Sequence, residues 1–175
     1  MKLPKSIILI LILLTSCQDS MNEPLETVQY VNIEKFMGDW YVIANIPTFL
    51  EKGATNAIES YRLNDKGEVE TRFSYYKGSP KGVKKEYFPK GFIINKETNA
   101  EWKMQFLWPF KAPFLIIDLD SDYSFTVIGV PNRKYVWIMA RKPAIPEDTY
   151  LAILSRLKQK GYDLSSLQMV PQIWN

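Results

Sequence analysis

Cys17 is the residue best placed for covalent chemistry. It closes the run Leu14-Thr15-Ser16-Cys17, which fits a bacterial lipobox. At such a signal the cysteine becomes the first mature residue and carries lipid. The preceding residues agree: Lys2 and Lys5 stand before an uninterrupted apolar stretch from Ile7 to Leu14, the charged and apolar regions of a secretory signal. That stretch is far shorter than the roughly 20 residues a bilayer-spanning helix needs. The plainer alternative is an ordinary signal peptide with a cysteine near its cut. Cys17 is also the chain's single cysteine, so it has no partner for an internal disulfide. Acylation there would withdraw the one thiol nucleophile. Gln18 is not the aspartate that retains such lipoproteins at the inner membrane, so the expected location is the outer membrane, lipid-anchored, with the facing open.

Other reactive groups are sparse. The chain has no histidine, which removes the commonest general base and a frequent metal ligand. Asp118, Asp120 and Asp122 form close carboxylate pairs. At strand ends such pairs serve turns; the alternative is a carboxylate-dependent lipid-modifying enzyme. The eight glycines form no phosphate-binding or dinucleotide pattern. No metal site has the right ligand set, and no cofactor is implied. Net charge is +3 and falls near +1 once Lys2 and Lys5 leave with the signal, which is no nucleic-acid footprint. The expectation is a binding protein, not an enzyme.

The remaining roughly 159 residues suit one domain with a substantial core. We divide the chain into a signal over 1–16, a lipidated polar tether over 17–29 and a domain over 30–175. Within the domain, strand-like runs occur near 39–47, 54–64, 67–77, 84–95, 99–107, 113–119, 123–130 and 134–142. Short polar turns such as Asn64-Asp65-Lys66-Gly67 separate them, as hairpins require. Regular spacing of this kind predicts an all-β fold, an eight-stranded antiparallel up-and-down barrel with room for one small ligand. From Pro146 to Lys160, Tyr150, Ile153, Leu154 and Leu157 recur at helical spacing before Gly161. That pattern predicts a C-terminal helix packed on the barrel's outside.

Alternation of side chains along a strand gives the expected lining: Val42, Ala44 and Ile46 on the first run, Phe73 and Tyr75 on the third. Trp102, Met104 and Phe106 follow on the fifth, and Tyr135, Trp137 and Met139 on the last. Tyr87, Gly91 and Ile93 are assigned inward on the fourth. The second run resists assignment, because either choice puts a polar residue inside; Glu59 would be one, with a raised pKa. A solid core with no cavity is the competing expectation.

Gly38-Asp39-Trp40 opens the first strand and Arg141 ends the last. Their guanidinium and indole can stack across the barrel floor, worth roughly 0.5–2 kcal/mol. With Tyr61 to Gly67 as a second strand and turn, and Pro131 to Arg141 as a final hairpin, this ordered set resembles the lipocalin family over residues 30 to 172. The likeness is closest to the bacterial outer-membrane lipoprotein lipocalins. Asp120-Ser121-Asp122-Tyr123 departs slightly from the family's Thr-Asp-Tyr form. The resemblance implies a cup that stores or transports a fatty acid or lysophospholipid.

Charge divides between the two barrel ends. Lys52, Lys77, Lys81, Lys84, Lys111, Arg133 and Lys134 fall on the open-end connections, against Glu51. We expect Lys77, Lys81, Lys84, Lys111 and Arg133 to steer an anionic head group at the mouth, unless they are merely solvated. Phe49, Leu50, Trp108 and Phe110 fall at the same end, where they would line the entrance, enter a membrane interface or form a homodimer contact. The rival to a carrier is a structural or adhesive envelope lipoprotein with a filled barrel.

Overall fold

The computed structural model describes residues 23–174. Cys17, the signal over 1–16 and the first part of the tether lie outside the described residues. The elements are α1 (Ile33–Phe36), β1 (Gly38–Ile46), β2 (Ala54–Leu63), β3 (Glu68–Lys77), β4 (Val83–Tyr87) and β5 (Lys90–Ile93). They continue with β6 (Glu101–Leu107), β7 (Phe110–Leu119), β8 (Phe125–Gly129), β9 (Val136–Ala140), α2 (Glu147–Gln159) and β10 (Gln168–Met169).

Consecutive strands pair antiparallel from β1 to β4 and again from β5 to β9, β3 also pairs with β5, and β9 returns to β1 from Tyr41↔Ala140 to Ile46↔Val136. Among the described residues this closes an eight-stranded barrel, because β4 and β5 both pair with β3 and form one interrupted wall. The expected run over 84–95 breaks at Pro89, which has no amide hydrogen to give the ladder; its carbonyl accepts from Thr71 N at 3.1 Å. Tyr87, Gly91 and Ile93 do face inward. Tyr87 stacks beside Phe73, Ile93 joins the inner core, and a Cβ on Gly91 would stand 3.0 Å from Val69.

The first strand departs from simple alternation. Its register against β9 shifts between Val42 and Ala44, so an extra residue reverses the facing of everything after it. Trp40 and Val42 point inward, but Ala44 and Ile46 join the cluster outside the barrel. Both had been expected in the lining. Asn45, opposite Trp137, takes the inward place.

That outer cluster is the seat of α2. Ile153 and Leu157 bury against Ile43, Ala44, Val127 and Ile138, with Tyr150 and Leu154 at the margin. Arg156 Nε ties the helix to Asp118 on β7 at 2.6 Å. Asp120 accepts from Ser124 Oγ at 2.6 Å within the β7–β8 turn. These carboxylates are fastenings at the closed end, away from the barrel interior.

Part of the expected tether belongs to the domain. Leu25 is buried in the outer cluster and Val28 N donates to Ile116 O at 2.9 Å; just beyond the tether, Val31 N donates to Thr98 O at 2.8 Å. The C-terminal segment is equally bound. β1 keeps β2 only from Gly38↔Tyr61 to Tyr41↔Ile58, and above that β10 takes over. Gln172 Nε2 bridges Val42 O and Ala57 O at 2.8 and 3.0 Å, sewing the parted strands together.

The lower half of the barrel is solid. Phe36 of α1 lies 5.1 Å from the Trp40 ring and 5.4 Å from Trp102, which stacks on Phe114 at 5.3 Å. Below them the Arg141 guanidinium lies 3.7 Å from the Trp40 ring centroid. Its nitrogens also donate to the carbonyls of Asp39 (2.8 Å), Lys35 (2.6 Å) and Met37 (2.9 Å). Gly38 makes the close approach feasible: its φ is 96°, and a Cβ there would stand 3.4 Å from Nη1. Replacing Arg141 by Met is expected to lower unfolding stability by about 2–4 kcal/mol, from lost charge-assisted hydrogen bonds and cation–π attraction. Arg141→Lys should recover less than half, because an ammonium lacks the planar fork. Urea unfolding of the three proteins checks both.

Candidate ligand-binding site

Above the packed floor the barrel opens into a cavity of about 330 Å³, at the lower end of the roughly 300–1,000 Å³ typical of ligand pockets. Phe73 of β3, Met104 and Phe106 of β6, and Ala112, Pro113 and Phe114 of β7 form much of its wall. Trp137 of β9 adds to it, with Val130 and Tyr135 from the loop before that strand. Thr48, Phe49, Leu50 and Glu51 enter from the β1–β2 loop, Glu59 from β2, and Pro89 from the break between β4 and β5.

Five of the expected lining residues therefore meet on this wall: Phe73, Met104, Phe106, Tyr135 and Trp137. Val42, Tyr75, Trp102 and Met139 also belong to the inner core but pack below or behind the open space. Tyr75 is held there by its hydroxyl, which donates to Leu50 O at 2.5 Å. Trp102 is pinned in the floor by Nε1 donating to Asn99 O at 2.7 Å. Ala44 is outside altogether. Both earlier alternatives thus hold for part of the barrel, filled below and hollow above.

The unanticipated wall residues follow from register. Ala112 and Phe114 face inward because they pair with Met104 and Trp102. No alternation near Pro113 reveals this in the sequence. Glu59 pairs with inward Trp40 and Phe73 and shares a face with buried Tyr61; that parity was readable from Tyr61, had the tyrosine been taken as core.

The expected basic mouth is dispersed. Lys77 Nζ donates to the carbonyl of Lys52, and Lys84 pairs with Glu86 at 3.2 Å. Lys111 lies 3.4 Å from the Phe92 ring centroid on the outer wall, where Phe92 is paired with exposed Lys103. Arg133 points away from the opening and donates to the carbonyls of Lys160 (2.6 Å) and Glu23 (2.8 Å). Of the five, Lys81 and Lys111 make no side-chain hydrogen bond or ion pair among the described residues, Lys111 resting on Phe92 alone. No basic side chain lines the cavity there. At the same rim Phe49 and Trp108 are 79% and 80% exposed, with Leu107 and Phe110 beside them.

The polar part of the wall is acidic. Glu51 Oε2 accepts from Thr48 N at 2.9 Å and Thr48 Oγ1 at 2.8 Å, while Oε1 accepts from Trp137 Nε1 at 2.5 Å. Glu59 accepts from the Tyr61 hydroxyl. It is open to the cavity yet enclosed by the barrel, and burial pushes its pKa from 4.5 to about 7, with the nearby Glu51 charge adding to the rise.

This has a sign. Between pH 4.5 and about 7 the unfolded chain has released the Glu59 proton and the folded chain has kept it, so rising pH favours unfolding. From pH 5 to 8 the wild type should lose about 2–3 kcal/mol through this group. Glu59→Gln should remove that loss and be the more stable protein at pH 8. Denaturant midpoints for both proteins at the two pH values test it.

The chain matches the model of a lipocalin-like domain over residues 31–172. Temperature-induced lipocalin-1 of Arabidopsis thaliana is 30% identical over 159 residues, covering 85% of this chain and 83% of the relative. The outer membrane lipoprotein Blc of Vibrio cholerae is 27% identical over 167 residues, covering 95% and 96%. Among solved structures, insecticyanin from the tobacco hornworm Manduca sexta superposes with a TM-score of 0.65 at 19% identity, covering 91% of this chain and 87% of that one. Lobster apocrustacyanin A1 gives 0.63 at 16%, covering 82% and 81%. The structural likenesses speak for the barrel, and the sequence match settles the membership: this chain belongs to the lipocalin family.

Proposed function

We propose that this protein is a lipid-anchored lipocalin of the outer membrane that binds, and stores or carries, a fatty acid or lysophospholipid. The carrying observation is the apolar cavity open at one barrel end. A hydrocarbon chain enters it and the head group stays at the rim. Each methylene removed from water contributes roughly 0.8 kcal/mol, so the chain supplies most of the affinity. Lys77, Lys81 and Lys84 lie outside the wall and act through their field, attracting anionic amphiphiles to the entrance. The cavity offers a ligand contacts but no reacting constellation, which favours a binder over an enzyme. The name of the Vibrio cholerae relative, an outer membrane lipoprotein, supports the anchor at Cys17 and the location.

Trp137 lines the cavity, so its emission should report occupancy. Titrating a naturally fluorescent fatty acid into the purified protein is expected to quench tryptophan emission saturably. Ala112→Phe fills part of the space; displacing two or three methylenes should weaken binding roughly 15- to 60-fold. Absence of uptake for any lipid would leave the carrier reading without support. For the anchor, cells fed a palmitate analogue should label the wild type and leave Cys17→Ser unlabelled. Label on both would place the acyl group elsewhere.

A further inference from the structure

Two acidic side chains and, among the described residues, no basic one lie on the cavity wall. That is a poor reception for a carboxylate or phosphate inside the barrel, and a useful one for a hydrogen-bond donor. Glu59 stands on the inner face between Trp40 and Phe73, where the packed floor gives way to open space. Glu51 closes on Trp137 from the loop above. Two further inward groups, Asn45 Oδ1 and Thr71 Oγ1, have no partner among the described residues. They are only 2% and 5% exposed. Asn45 shares its face with the cavity residue Trp137, and Thr71 with the cavity residue Phe73, but Asn45 and Thr71 themselves lie behind the wall.

An enclosed polar group without a partner is costly, and a plain hydrocarbon chain gives Glu59 on the cavity wall nothing. Glu51 and Glu59 present acceptor oxygens to the cavity; both oxygens of Glu51 already accept, from Thr48 and Trp137, and Glu59 Oε2 accepts from Tyr61, which leaves Glu59 Oε1 to receive a donor. An uncharged hydroxyl donates to such an acceptor without bringing a further negative charge beside Glu51 and Glu59. We propose that the enclosed part of the natural ligand carries a hydroxyl group, received chiefly by Glu59, so that the cavity selects hydroxylated hydrocarbon chains over plain ones. This rests on the lipid-binding reading above and narrows it. The acidic head of such a ligand remains at the rim, and its chain places the hydroxyl near the floor.

The test compares decanoate with ω-hydroxydecanoate as displacers of the fluorescent fatty acid from the full-length protein. In a purely apolar cavity the hydroxyl would weaken binding, because a polar group would be buried without a partner. Here the hydroxylated chain should bind about two- to tenfold more tightly than the plain one. Glu59→Met should reverse that order, with its fold verified separately by circular dichroism and a urea unfolding midpoint. Glu59→Gln, which keeps a hydrogen-bonding group at the same place, should retain the order. Tighter binding of decanoate to the wild type, or an order untouched by Glu59→Met, overturns the inference and leaves the lipid-binding reading standing. If neither compound displaces the probe and no other lipid does, both readings fall together.

Discussion

The Arg141 guanidinium against the Trp40 indole is the contact on which the cup depends. A barrel of this size has two ends, and a ligand site requires that one be sealed. Arg141 lies 3.7 Å from the Trp40 ring centroid and gathers the carbonyls of Lys35, Met37 and Asp39. It thereby fixes the short helix α1 beneath β1. Phe36 can then rise into the barrel, where it meets Trp40, Tyr61 and Trp102. Desolvation normally discourages a cation from such a place, and burial does lower the Arg141 pKa from its ordinary value. Three carbonyl acceptors and the ring face compensate for the water it loses.

Above this seal, the register of β1 controls what the interior contains. The shift after Val42 sends Ala44 and Ile46 outward to α2 and turns Asn45 inward. One strand thus serves two cores: its lower half faces the ring stack, and its upper half supplies the helix seat. The same region parts from β2, and the C-terminal segment fills the seam through Gln172 and β10. Mouth and wall are therefore held by residues from both ends of the chain.

The interior polarity changes how the charges at the open end are understood. The expected basic mouth is dispersed, with several of its side chains bound elsewhere, and the charged groups on the cavity wall are Glu51 and Glu59. An amphiphile would be drawn by one sign at the rim and meet the other within. Under the proposed function that arrangement would keep an acidic head outside while the chain goes in, and the raised Glu59 pKa would reduce the charge the chain must approach.

Much of the architecture was legible in the sequence alone. Turn chemistry and alternation located the strands, helical spacing and Gly161 bounded α2, and the positions of Trp40 and Arg141 indicated the floor. These are local signals, carried by neighbours in the chain or by residue types with one structural use. The lining was legible only where alternation runs unbroken, as for Phe73, Met104 and Trp137. Tertiary structure alone decided the rest: the bulge that exchanged Ala44 for Asn45, the pairing that turned Ala112 and Phe114 inward, and the depth at which rings stop touching and space begins. The physical reason is that facing depends on register between strands, and one extra residue reverses it without changing either strand's own propensity.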